Sequence, residues 1–277
     1  MRVHHLNCGT MCPRSARLVN GTGGVLERGR LVCHCLAVEL SSGLALIDTG
    51  FGSADVADPK RRLGAPFCAV AAPLCLQEET ALAQLLRLGF AAPDVRHILP
   101  THLDLDHVGG IADFPDAAVH LLAREHHAAL ARVTTAERRR YREKPWADAH
   151  LQICQPGGET WFGFESVRPL AGSQDEVLLI PLYGHTRGHA GVAVRTGQGW
   201  LLHAGDAYFS HGEIHANPLT CPLGLTLFQR AVQLDATQRL HNRARLRELV
   251  RTHGSEVTVV CAHDPFEFDT MSGIIDS

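Results

Sequence analysis

The sequence predicts one mixed α/β domain spanning residues 1–277, built on sheets whose strands deliver polar side chains to a common edge. Three observations predict it. Short apolar runs of strand length recur between turn residues, as in Val95–Leu99 and Val177–Pro181. Segments of helical period, such as Glu78 to Leu88, separate them. The His- and Asp-rich motifs each fall just past one of the strands, where loops converge.

In chain order, Arg17–Val19 and Val25–Glu27 are short strand candidates among glycines, and Leu31–Leu40 is an apolar strand carrying Cys33 and Cys35. Cys8, Cys12, Cys33 and Cys35 lack the repeated spacing of a zinc knuckle, so they are expected to be buried thiols. Leu44–Ile47 is a strand that ends in Asp48-Thr49-Gly50, where the carboxylate could anchor a turn, orient a metal ligand, or do both. Ala81, Leu82, Leu85, Leu86 and Leu88 give the next helix, with Gly89 as its stop. Ala118–Leu122 is a strand, and Arg124 begins a helix to Arg132. The basic stretch Arg138–Lys144 reads either as a solvated helix face or as a cap that attracts an anionic substrate. Val177–Pro181, Gly191–Arg195 and Trp200–Ala204 are strands, Leu227 to Val250 is one long amphipathic helix, and Val257–Cys261 is the last strand. No repeat or linker interrupts this order.

Composition narrows the function. The chain has 277 residues, 45% hydrophobic and 20% charged, with a net charge of −3 that provides no pull toward nucleic acid. No run approaches the roughly 20 apolar residues of a membrane span. The first residues carry no apolar signal region, so a cytoplasmic chain with reduced thiols is expected, although its nine cysteines are an odd number. A small-molecule substrate fits this balance, and the oligomeric state is open.

The densest chemistry lies in Pro100-Thr101-His102-Leu103-Asp104-Leu105-Asp106-His107-Val108-Gly109-Gly110. In an extended segment, alternation would send His102, Asp104 and Asp106 to one side and the leucines to the other. With His107 beside them, those side chains suit a metal ion. Three further strand ends carry His185 and His189, Asp206, and His263.

Taken together, these motifs resemble the metallo-β-lactamase superfamily, with its HxHxDH motif, a downstream His, a Gly-Asp aspartate and a late His. The match runs from Asp48-Thr49-Gly50 to His263. The resemblance implies an α+β fold, a four-layer αββα sandwich with a dinuclear metal site at one edge. It places His102, Asp104 and His185 on the first metal, and Asp106, His107 and His263 on the second. Asp206 bridges them and His189 is a neighbour. The implied cofactor is two divalent ions, zinc first, with iron or manganese as alternatives. Asp104 departs from the family's usual His, leaves the filled site less positive, and suits harder ions. Flavodiiron proteins of the superfamily share that carboxylate, but no flavodoxin partner domain is expected within these residues.

The implied chemistry is hydrolysis of a lactone or other carboxylic ester by a metal-bound hydroxide, with Asp106 orienting the nucleophile and moving a proton. The alternatives are a glyoxalase II-like thioesterase or phosphodiesterase, and a non-hydrolytic di-iron oxidoreductase. Quorum-quenching lactonases of the superfamily carry a tyrosine near the position of Tyr208, with spacing that differs by a residue. Tyr208 is therefore a candidate hydrogen-bond donor to the substrate, or else a packed aromatic. Ser210, His211, His215 and Asn217 are polar residues of the following loop that either contact substrate or are merely loop.

Overall fold

The computed structural model describes residues 1–141, 145–157, 159–170 and 176–273. Twelve strands are present among them: β1 (Val3–Met11), β2 (Leu31–Leu40), β3 (Gly43–Ile47), β4 (Val95–Leu99), β5 (Ala118–Leu122), β6 (His150–Cys154), β7 (Glu159–Trp161), β8 (Phe164–Ser166), β9 (Val177–Pro181), β10 (Ala190–Thr196), β11 (Gly199–His203) and β12 (Val257–Val260). Strands β1 to β6 form one sheet in sequence order, antiparallel from β1 to β3 and parallel from β3 to β6. The second sheet runs β12-β11-β10-β9, and β7 with β8 makes a small ribbon.

Period-2 alternation sorts the apolar side chains into layers. Leu36, Val38, Ala45, Ile47 and Leu99 from the first sheet meet Val177, Leu179, Val192, Val194 and Val260 from the second. The alternate residues face outward: Ala37, Leu44, Leu46 and Ile98 pack under Leu85 and Ala129 of flanking helices. Leu178, Ile180, Leu202 and Val259 pack under Leu246 and Leu249 of the helix Ala236–His253. Both faces of each sheet are covered, which is why these strands read as unbroken apolar runs. The result is the expected α+β arrangement of helix, sheet, sheet and helix. No helix among the described residues is long and apolar enough to cross a membrane.

Several local expectations change. Arg17–Val19 belongs to a short helix, Ala16–Val19, and Val25–Glu27 is an irregular turn with Leu26 fully exposed. Neither segment has a strand neighbour to satisfy its backbone. The long helix expected over Leu227–Val250 is two helices, Leu223–Val232 and Ala236–His253. Asp235 starts the second by accepting from Gln238 N at 2.9 Å, so an N-cap interrupts what had looked like one periodic run. The segment after β4 does not stay extended: residues 100–104 are irregular, and Leu105–Val108 is a single helical turn.

Candidate metal centre

That turn changes how the side chains converge without scattering them. His102 and Asp104 come from the irregular backbone after β4, and Asp106 and His107 from the turn. His185 comes from the loop after β9, Asp206 from the turn after β11, and His263 from the loop after β12. All seven lie at one end of the two sheets. Asp206 stands between two sets of imidazoles. Its Oδ1 is 3.1 Å from His263 Nε2 and 3.4 Å from His107 Nε2. Its Oδ2 is 3.3 Å from His185 Nε2 and 3.9 Å from His102 Nε2. Asp104 Oδ2 lies 3.1 Å from His185 Nε2 and 3.3 Å from His102 Nε2. Asp106 Oδ2 lies 3.6 Å from His263 Nε2.

The rings are aimed from behind. His107 Nδ1 donates to Asp48 at 2.8 Å, and His263 Nδ1 donates to the carbonyl of Val32 at 2.7 Å. His102 Nδ1 lies 3.0 Å from Thr101 Oγ1. These contacts leave each Nε2 turned toward the carboxylates, the orientation a metal-ligating imidazole needs. Asp48 therefore fills both roles open in the sequence. It anchors the turn by accepting from Thr101 N at 2.7 Å, and it orients His107 from a left-handed backbone at φ 55°. Gly109 and Gly110 pack against this same turn; a Cβ on Gly109 would lie 2.1 Å from an Asp55 carboxylate oxygen. Gly205, at φ +54°, has no room for a Cβ beside His189 Nε2, 2.6 Å away. His189 accepts from Asp206 N at 2.9 Å and so fixes the backbone of the central carboxylate.

Electrostatics favour a cation. Burial alone would raise the Asp206 carboxyl, but His263, His107 and His185 hold it well below the usual range. Burial likewise opposes ionisation of Asp104, and Arg140 and His102 outweigh it. Burial, helped by Arg140, lowers His185 to about 4, leaving the neutral imidazole that metal binding requires. His102 Nε2, His107 Nε2 and Asp206 Oδ1 are buried with no hydrogen-bond partner. Orphaned polar atoms are costly singly, and three facing one place fit a donor set for metal.

Some functional residues escaped sequence reasoning. Arg140, in the helix Thr135–Arg140, sends Nε to Asp104 Oδ1 at 3.3 Å and donates to the carbonyls of His185 at 2.9 Å and Val232 at 2.5 Å. Within the basic stretch, Arg138 donates to the carbonyls of Arg132 and Val133, and residues 142–144 lie outside the described residues. Glu125, fully buried, accepts from Leu103 N, Thr186 Oγ1 and Gly188 N, tying the first motif to the His185 loop. A carboxylate inside a helical run, or an Arg among other Args, carries no local mark of such a role.

Tyr208 is corrected. It is completely buried in the outer core of the second sheet, and its hydroxyl donates to Glu267 at 2.8 Å, not toward the centre. One residue on, Phe209 is the aromatic beside the site: its ring stacks on His263 at 5.2 Å between centroids and lies 6.0 Å from His185. Tyr208→Phe should therefore leave kcat/KM unchanged while costing about 1–2 kcal/mol of stability in urea titration. A tenfold fall in kcat with the fold intact would return the hydroxyl to the reaction. In the next loop His211 pairs with Asp264 at 2.7 Å, and His215 lies 3.2 Å from the carbonyl of Val259.

Comparison with known proteins identifies the family. The family model of the metallo-beta-lactamase superfamily matches residues 28–249. A probable metallo-hydrolase of Mycobacterium tuberculosis is 43% identical over 266 residues, covering 96% of this chain and 81% of that protein. The N-acyl homoserine lactonase AttM of Agrobacterium fabrum is 33% identical over 129 residues, 46% of this chain and 47% of the lactonase. Among solved structures, an N-acyl homoserine lactone hydrolase with N-hexanoyl-L-homoserine at its catalytic metal centre aligns at a TM-score of 0.69. It is 21% identical, and the alignment covers 96% of this chain and 94% of that one. The dizinc quorum-quenching lactonase AidC aligns at 0.61 with 16% identity, covering 95% and 87%.

Proposed function

Because this chain belongs to the metallo-beta-lactamase superfamily, we propose that it is a dinuclear metal-dependent hydrolase that opens a lactone or cleaves a related carboxylic ester. The observation that carries the proposal is the Asp206 carboxylate, whose two oxygens face different pairs of imidazoles. His102, Asp104 and His185 would hold one ion, Asp106, His107 and His263 the other, and Asp206 both. Zinc is the first choice, as in the dizinc lactonase of similar fold, and the carboxylate at position 104 also suits iron or manganese.

Two such cations would supply Lewis acidity at the scissile carbonyl and a water of lowered pKa. The protein's own part is positional. Asp104 and Asp106 keep 19% and 14% of their side chains exposed, whereas Asp206 and the four imidazoles are buried, so solvent and substrate approach past these two carboxylates. Asp106 can orient a water and carry a proton to the departing alkoxide.

Phe209, stacked on His263, joins Phe51, Leu63 and Leu225 in a buried apolar cluster beside the centre, with Phe67 and Leu105 packed against it. Of the basic stretch that would favour an anionic substrate, Arg140 is engaged with Asp104 and two backbone carbonyls, and Arg138 with two more. Thioester hydrolysis remains the rival outcome, because the same carbonyl chemistry would serve it.

Turnover by the zinc-loaded chain can be compared across N-acyl homoserine lactones of increasing chain length, S-acyl thioesters and phosphodiesters. The proposal expects kcat/KM to be highest for the lactones. A thioester or phosphodiester preferred by tenfold or more would replace it.

A further inference from the structure

Among the described residues, three side chains of different chemistry close on one point beside the central carboxylate. Cys33 Sγ, an Asp106 carboxylate oxygen and a His263 ring nitrogen all lie within 4.8 Å of one another. Cys33 is 2% exposed and sits on β2. The placement is fixed from both sides. Cys33 N donates to Asn7 Oδ1 at 3.1 Å, across from the irregular pairing of β1 between Asn7 and Thr10. The neighbouring Val32 carbonyl accepts from His263 Nδ1 at 2.7 Å, and His34 N donates to the Ala262 carbonyl at 2.8 Å. The strand that aims the His263 ring thus also carries the thiol. Two further buried atoms of this half of the centre, His107 Nε2 and Asp206 Oδ1, have no hydrogen-bond partner.

We propose that Cys33 is a sulfur ligand of the second metal position, joining Asp106, His107, His263 and Asp206 there. The inference rests on the dinuclear reading above and extends it. A cation at that position replaces the thiol proton, which leaves to solvent, and the thiolate binds in its stead. The two positions then differ in kind. The second gains a soft donor and one more negative charge, which select zinc. The first is held by Asp104 and two imidazoles, with Arg140 drawing on the carboxylate, a set open to harder ions. A centre built this way loads two metals in sequence and accepts a mixed pair, zinc at the sulfur side and iron or manganese at the other.

Zinc X-ray absorption fine structure of the reconstituted full chain reads the donor atoms directly. With one equivalent of zinc, the wild-type protein should show a sulfur shell at about 2.3 Å beside nitrogen and oxygen near 2.0–2.1 Å. The sulfur share should fall when a second equivalent is added. Cys33→Ser should lose the sulfur shell, and Cys35→Ser, a buried thiol two residues along the same strand, should keep it. A wild-type spectrum of nitrogen and oxygen alone, or a sulfur shell that survives Cys33→Ser, overturns the proposal and leaves the dinuclear reading standing. A chain that binds no zinc overturns both.

Discussion

Asp206→Ala removes hydrolysis by about a thousandfold or more, equivalent to about 4 kcal/mol of transition-state stabilisation, and leaves the fold intact. The size follows from its position. One carboxylate faces His107 and His263 through Oδ1, and His102 and His185 through Oδ2, so its loss opens both metal positions at once. The fold should survive because Asp206 contributes to no apolar core. Its backbone N–H remains bonded to His189, and the turn depends on Gly205 rather than on this side chain. Because His263, His107 and His185 hold the carboxyl ionised, its removal should also cost the metal-free chain some stability. Bound metal, turnover and circular dichroism measured together test this. A folded Asp206→Ala protein with full activity would end the account of a bridging carboxylate.

The second large effect concerns Arg140 and Asp104. Arg140→Ala withdraws the cation beside Asp104 and leaves the His185 and Val232 carbonyls without that donor. The pair is largely shielded, at 11% and 19% side-chain exposure, so breaking it should cost about 3 kcal/mol in the metal-free protein. Bound metal supplies another partner for Asp104, and the loss should shrink when urea unfolding is repeated with excess zinc. The same loss with and without zinc would separate Asp104 from the ion. Asp104→His is the complementary change. It restores the donor usual in the superfamily and should shift selectivity toward zinc over manganese, by equilibrium dialysis against both. Unchanged selectivity would place residue 104 outside the metal's reach.

Much of this site was legible because its signals are local. Val95–Leu99 reads as a strand of the observed length, and His102, Asp104, Asp106 and His107 are dense enough to stand out unaided. The layered core was legible too, since strands covered on both faces leave unbroken apolar runs such as Val177–Pro181. What escaped depends on contacts through space. Arg140 differs from Arg138 and Arg139 only in which side of their shared helix meets Asp104, and Cys33 from Cys35 only in its place along β2, next to the Val32 carbonyl that holds His263. Tyr208 and Phe209 are adjacent and both aromatic, and the turn after Gly205 decides which ring meets the imidazoles. The break between Leu223–Val232 and Ala236–His253 turned on Asp235 acting as a cap where composition suggested continuity.

The claim beneath the rest is that seven side chains from four separate strand ends hold two ions with Asp206 between them. Anomalous diffraction at the zinc edge, from crystals of the zinc-loaded chain, tests it most directly. Two peaks are predicted, one among His102, Asp104 and His185 and one among Asp106, His107 and His263, with the Asp206 carboxylate between them. A single peak, none, or peaks away from Asp206 would contradict it.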